Sequence, residues 1–402
     1  MASAKTTSES KVTPQGPSPE NVRARLRRSP FATIRDIFVG LLVVVLFFIV
    51  FEGVSSVALA LKDFADAPII AERLHTHYDS LLGWSNIPGI FIPDMYGPSA
   101  SVRINSQGYR NSQEFSQRVP IGRLRIICSG DSFTFGYGVS NEQTWCQSME
   151  SRDGRLQTVN MGQGGYGFDQ MFLWYRRDVD RLDTDVHVVA AIQFDYYRML
   201  SDEFRGYSKP VLKLDHGQLV AGNTPVPQRI WQARLVAISE RLDRVSSVSV
   251  LKRLIQKLHP AESKAPHPSQ SQINQQLRQV VLSTLDAFRD LDRSRNRVLV
   301  LVYLPTFDEC YLPEASDWRD WREWINAEAS ARGIVVIDLL PDFLGLPVRQ
   351  ASAMFIQQIS AKYAGARGHY SIAGNKFVAD RIYTRLLSIP DVKHRLDSIE
   401  AR

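Results

Sequence analysis

Arg125-Ile-Ile-Cys-Ser-Gly-Asp-Ser-Phe-Thr-Phe-Gly-Tyr-Gly-Val139 is the stretch whose reading decides the fold. An apolar run ends abruptly at Gly130-Asp131-Ser132, and glycines at 136 and 138 open the loop that follows. A buried strand that stops this way delivers one hydroxyl to the edge of a sheet, so Ser132 is a candidate nucleophile.

Outward from that stretch, strand and helix signals alternate. Short β-branched runs ended by Gly, Pro or Asp predict strands at 123–129, 156–160, 187–194, 297–304 and 334–338. Amphipathic periodicity predicts helices near 141–152, 168–181, 273–291, 317–331 and 373–388. Such alternation implies an α/β fold: a mostly parallel five-stranded sheet with helices on both faces and ligands at the carboxyl ends of the strands, where Ser132 stands. The domain is expected over 123–390, with 391–402 as a tail. An insertion at about 200–272 interrupts it, with a hairpin over 209–219 through Asp215-His-Gly217, a helix near 228–258 and a Pro- and Ser-rich loop at 260–271. This insertion either caps the site or decorates the surface. Trp318, Trp321 and Trp324 recur at three-residue spacing, which reads as a core-facing stripe or, alternatively, as a sugar-stacking surface.

The amino end has a different character. Residues 1–36 read as a disordered basic tail, since residues 1–22 are rich in Ser, Thr, Pro and Lys and bury too little to offset ordering entropy. This tail carries net +4 of the chain's +6, which removes the basic surface that nucleic acid would need from the rest. Residues 37–61 are apolar apart from Glu52 and long enough to cross a hydrocarbon core of about 30 Å. Arginines clustered at 23–28 hold that amino end in the cytoplasm, so one N-terminal transmembrane helix would place the main domain outside the inner membrane, in the periplasm. The rivals are a cleaved signal ending at Ala58-Leu59-Ala60, which leaves the domain on the same side, and a buried core helix. Residues 62–122 lack long periodic elements and read as a lead-in packing on the domain, with Asn105 or Arg110 at a substrate rim as the other reading. Three cysteines, Cys128, Cys146 and Cys310, make neither a disulfide framework nor a metal-ligand spacing. Cys128 reads as a buried hydrophobe, and in an oxidising compartment Cys146 and Cys310 are the pair to watch.

The words around Ser132 resemble the first sequence block of the SGNH/GDSL hydrolases, an esterase and acyltransferase family with a flavodoxin-like three-layer α/β/α fold. They are not the Gly-x-Ser-x-Gly elbow, because Thr134 stands where the second glycine would be. The lead-in wording, Leu82-Gly-Trp84 and Arg103-Ile-Asn-Ser-Gln-Gly-Tyr-Arg110, resembles that of membrane-anchored members. The resemblance implies an oxyanion hole built from the N–H groups of Ser132 and of Gly165, within Asn160-Met-Gly-Gln-Gly-Gly-Tyr-Gly167. It also implies His369 as the base, in Gly368-His-Tyr-Ser-Ile-Ala-Gly-Asn375.

Two departures stand out. Phe194 occupies the place of the family's oxyanion-binding asparagine, leaving either Gln193 as a substitute donor or a hole of two donors. Ala366 and Arg367 occupy the places where an acid should orient the imidazole, leaving either a Ser132–His369 dyad held by a backbone carbonyl or an acid from elsewhere, Asp308 or Asp342. The function implied is a serine esterase or O-acyltransferase working on acyl groups, acetyl first, of a cell-envelope glycan, with no metal or cofactor. It would sit beside envelope-polysaccharide or acyl-transfer machinery. A weakly active or inactive binding scaffold and a lysophospholipase or thioesterase are the alternatives.

Overall fold

A computed structural model describes residues 30–65, 74–228, 270–311, 316–357 and 364–400. Residues 1–29, the predicted helix near 228–258 and all but the last two residues of the Pro- and Ser-rich loop lie outside the described residues. The chain divides into two compact units, Met1–Ala67 with Arg241–Ile255, and Pro68–Glu240 with Gln256–Arg402.

In the first unit the described element is α1, Pro30–Ala65. It starts before the expected tail ends, with Pro30 at its first position, where a missing N–H breaks no helical bond. Its 25-residue window Phe31–Ser55 has mean hydropathy 2.9 and no buried side chain. At about 1.5 Å per residue the window exceeds the roughly 30 Å of a hydrocarbon core, so this helix is long and apolar enough to cross a membrane.

In the second unit five strands form one parallel sheet: β1 Leu124–Gly130, β2 Leu156–Gly162, β3 Val186–Ala191, β4 Val298–Tyr303 and β5 Val335–Asp338. Their order is β2-β1-β3-β4-β5, that of a flavodoxin-like doubly wound sheet. Successive strand residues face opposite ways. Ile126 and Cys128 therefore enter one buried cluster with Trp145, Met149, Val378, Ile382 and Leu396, whereas Ile127 enters another with Leu173, Phe288, Trp321 and Ile325. The first cluster lies under α3 Trp145–Arg152, α8 Ile372–Leu386 and α9 Pro390–Glu400. The second lies under α4 Phe168–Asp178, α6 Gln270–Arg293 and α7 Ser316–Ala331. The three layers follow from strand alternation alone.

Several expectations are revised. The strand predicted over 187–194 ends at Ala191, and the chain turns into a short helix, α5 Gln193–Tyr197. The cause is local: the Asp195 carboxylate accepts the Ile192 N–H at 2.9 Å, a cap that overrides the apolar run. Residues 391–402 are not a tail over most of their length, since Val392 and Leu396 of α9 are buried. Trp321 is buried and Trp324 packs beside it under the Arg278 guanidinium, which makes the stripe core; the Trp318 side chain lies outside the described residues. All three cysteines are free, and Cys146 lies beside Cys128, whose thiol is pushed up by burial and by that neighbour.

Two features around the sheet bear on the site. In the lead-in, the Trp84 indole donates to Gly164 O at 3.0 Å, the Tyr166 hydroxyl donates to Trp84 O at 2.6 Å, and the Gln170 amide donates to Leu82 O at 2.8 Å. At the root of the insertion, the fully buried Lys209 ammonium meets Asp169 Oδ2 at 2.7 Å and the carbonyls of Arg198, Ser201 and Pro210 at 3.1, 3.2 and 2.9 Å. The predicted hairpin forms between Val211–Asp215 and Gln218–Gly222.

Candidate active site

The turn that carries Ser132 begins where β1 stops. Asp131 Oδ1 accepts the Phe133 N–H at 2.8 Å and caps the single helical turn α2, Ser132–Phe135, which closes at Gly136 in the left-handed region. The Asn160 amide donates to Thr134 O at 2.9 Å. At Gly162 a Cβ would stand 2.2 Å from Phe135 N, so only glycine lets β2 lie this close to the turn. Arg110 is wholly buried, and its guanidinium donates to the carbonyls of Phe135, Gly136 and Val139 and to Asn141 Oδ1. It supports the turn from behind, and the Asn105 side chain closes its own local turn by accepting the N–H groups of Gln107 and Tyr109. Neither residue lines the site.

His369 reaches the turn from the loop ahead of α8. Its backbone is pinned on both sides, because Ile356 N–H donates to His369 O at 2.8 Å and Ser371 caps α8 through Gly374 N–H. Its ring packs on Phe133 and Tyr137 at centroid distances of 4.5 and 5.1 Å. This brings His369 Nε2 to 2.7 Å from Ser132 Oγ, while Asp131 Oδ2 lies farther off at 3.3 Å. An Nε2 that accepts the hydroxyl proton leaves the ring's own proton on Nδ1. That Nδ1 is buried and makes no hydrogen bond among the described residues, although the carbonyls of Ala366 and Arg367 act to favour a protonated ring. Asp342 is held by Arg385 at 2.7 Å and by Arg381 at 3.5 Å on α8. Asp308 is exposed on the cavity rim and has no hydrogen bond or ion pair among the described residues.

Burial pushes the His369 imidazole down to about 4, against smaller upward effects led by the Asp131 charge. The ring is therefore neutral and able to accept a proton at neutral pH. We expect log kcat/KM for an ester to stay level down to about pH 5 and to lose about tenfold per unit below about pH 4. An acid limb centred near pH 6.5, the ordinary histidine value, would refute this. For folding the sign is the same: the unfolded ring takes its proton first, so this group withdraws stability as the pH falls from about 6.5 to about 4.

Of the oxyanion candidates, the N–H groups of Ser132 and Gly165 donate no hydrogen bond among the described residues. Gly165 has φ +74°, and a Cβ there would stand 2.3 Å from the Phe204 ring, so both the conformation and the cover exclude a side chain. Gln193 is buried with neither carboxamide atom partnered among the described residues, and it does not line the cavity. Phe194 does line it, 39% exposed and without a donor.

A residue the sequence reading passed over stands beside these groups. Arg198 Nη1 donates to Asp131 Oδ2 at 3.2 Å, Asp195 Oδ1 at 2.5 Å and Tyr166 O at 2.9 Å. Both carboxyls are fully buried, and burial together with the Asp131 charge pushes the Asp195 carboxyl well up. The cavity in front of Ser132 and His369 encloses about 660 Å³, with Phe133, Phe194, Phe307 and Ile356 on its apolar wall and Arg198 and Arg367 as its cations.

No protein-family model and no curated protein matches the chain. Among solved structures it is similar to a member of the lipolytic protein G-D-S-L family from Veillonella parvula DSM 2008, at 13% identity and TM-score 0.33, over 65% of this chain and 97% of that one. It is also similar to a lipase/acylhydrolase from Enterococcus faecalis, at 11% identity and TM-score 0.36, over 66% and 96%. A third is an acetyl xylan esterase, at 17% identity and TM-score 0.34, over 65% and 99%.

Proposed function

We propose that this chain is a membrane-anchored serine esterase or O-acyltransferase acting on acyl groups, acetyl first, of a cell-envelope glycan. The observation that carries the chemistry is the 2.7 Å approach of His369 Nε2 to Ser132 Oγ at the floor of an open cavity. Ser132 Oγ attacks the ester carbonyl carbon as its proton passes to His369 Nε2, and the carbonyl π electrons move onto oxygen. The unoccupied N–H groups of Ser132 and Gly165 are the donors for that charge. On collapse the bond to the alcohol oxygen breaks, His369 returns its proton to that oxygen, and an acyl-Ser132 remains. Water or a sugar hydroxyl then repeats the sequence as the second nucleophile, so hydrolysis and transfer use the same groups. With no acid at His369 Nδ1 among the described residues, the reading is of a Ser132–His369 dyad whose protonated ring is favoured by the backbone of Ala366 and Arg367.

Trapping tests the reading directly. A fluorophosphonate is expected to add its phosphonyl mass to the peptide carrying Ser132 and to leave a Ser132→Ala variant unlabelled. Labelling of any other residue in both proteins would overturn it.

The anchored, N-in topology rests on α1 and on the arginines at 23–28 ahead of it. Alkaline phosphatase fused after residue 70 is expected to be active in whole cells, and a silent fusion would reverse the orientation.

A further inference from the structure

We infer that Arg198 supplies the third oxyanion donor of this site, in the place left empty by Phe194; the inference rests on the esterase reading above. Phe194 and Arg198 are four residues apart on the continuous helical stretch formed by α5 and the 3-10 turn Arg198–Leu200, so they share one face. Both line the cavity that holds Ser132 and His369. A long guanidinium starting one turn farther back can reach what a short asparagine would reach from position 194.

The guanidinium is also held in place. Nη1 is occupied by Asp131, Asp195 and Tyr166 O, and the Arg198 carbonyl accepts from the buried Lys209 ammonium. The side chain crosses the ring of Phe204, the same ring that covers Gly165, with its guanidinium carbon 5.1 Å from the ring centre. Nε and Nη2 make no hydrogen bond among the described residues, and neither is sealed in the interior of a side chain that is 18% exposed. Two donors of a fixed planar fork are thus without a partner among the described residues, on a side chain that lines the cavity and is bonded to Asp131.

Charge supplies a second reason. Asp131 Oδ2 lies 3.3 Å from Ser132 Oγ, so an oxyanion formed on the acyl carbon bonded to that oxygen would grow beside a carboxylate. Arg198 neutralises that carboxylate with Nη1 and offers its free edge to the new charge. Among the described residues no other side chain of the cavity combines these properties. Thr306 Oγ1 is committed to Glu309 at 2.9 Å, and Arg367 is exposed with no anchor among the described residues.

The test compares oxygen with sulfur at the reacting carbonyl in the detergent-solubilised full chain. Hydrolysis of p-nitrophenyl acetate and of its thionoester, in which C=S replaces C=O, is measured for wild type, Arg198→Gln, Arg198→Lys and Ser132→Ala. Arg198→Gln is expected to lose about 10²- to 10³-fold in kcat on the ester, the usual cost of one oxyanion donor. Its thionoester rate should fall much less, so that the ester preference shrinks at least tenfold. Arg198→Lys, which keeps the charge without the fork, should lie between the two and serves if the glutamine variant does not fold. Equal losses on both substrates would mean that Arg198 only holds Asp131 in place, and unchanged rates would mean that it has no part; either result overturns the inference. If Ser132→Ala keeps the wild-type rate, the esterase reading itself falls, whereas a dead Ser132→Ala with equal losses in Arg198→Gln removes only the role of Arg198.

Discussion

Replacing Ser132 by alanine is expected to lower kcat for p-nitrophenyl acetate by between about 10² and 10⁴, and adding His369→Ala to that variant should lower it no further. The ceiling follows from the lack of an acid at His369 Nδ1 among the described residues. In serine proteases the loss of nucleophile or base costs roughly 2 × 10⁶ in kcat, and the loss of the acid alone roughly 3 × 10⁴, which leaves about 10² to the other two. Here no carboxylate meets His369 Nδ1 among the described residues, but two carbonyls favour the protonated ring, so the pair should be worth more than that residue and less than a full triad. The absence of additivity is the sharper part of the expectation, because a hydroxyl and an imidazole 2.7 Å apart work as one unit. Steady-state kinetics on the two single variants and the double variant decide it. A double variant well below either single would mean that the two residues act separately, and equal activity in all four proteins would leave a binding scaffold as the better description.

The second large effect concerns stability. Lys209→Met is expected to cost about 3–5 kcal/mol, because it leaves the Asp169 carboxylate buried without a counter-charge. Both side chains are fully buried, and burial already holds the Asp169 carboxyl above its usual range despite the ammonium beside it. For a domain of this size the loss should lower the melting temperature by roughly 6–20 °C. The double change Lys209→Met with Asp169→Leu removes both charges and should recover most of that loss, since replacing a buried pair by apolar groups is often neutral. A single variant that melts within 2 °C of wild type would contradict the account. Because the same ammonium also binds the Arg198 carbonyl, the single variant should lose esterase activity at temperatures where it is still folded.

The sheet was readable in advance because its strands are short β-branched runs ended by Gly, Pro or Asp, and each appears within one or two residues of its expected start. Ser132 and His369 were readable for another reason: the words around them, Gly130-Asp131-Ser132 and Gly368-His369-Tyr370-Ser371, resemble blocks of a known family, and Asp131 and Ser371 cap the local turns there. What escaped depended on contacts across the chain or on a turn that competes with hydrophobic pattern. The run 187–194 kept its apolar character past the strand's end, and only the Asp195 cap on Ile192 ends it. Reading 193–194 as strand then hid the helical spacing that links Phe194 to Arg198. Of the two proposed acids, Asp342 is taken by arginines of α8, a partnership between residues some 40 apart that no local pattern signals. Helix α9 was within reach, with Pro390 at its start, Asp391 in its first turn and Val392, Leu396 and Ile399 on one face.

The bonds between Trp84 and the glycine loop carry a consequence for how far this chain can be trimmed. Gly164 and Tyr166 flank Gly165, and the partners that steady them are supplied from well ahead of the first strand of the sheet. A protein shortened to begin at residue 123 would keep every strand of the sheet, Ser132 and His369, yet its glycine loop would have lost its splint. On the esterase reading the smallest working fragment would therefore begin before His75, whose ring stacks on Phe135 of the Ser132 turn at 4.6 Å, and the lead-in would be as much a part of the site as the sheet is.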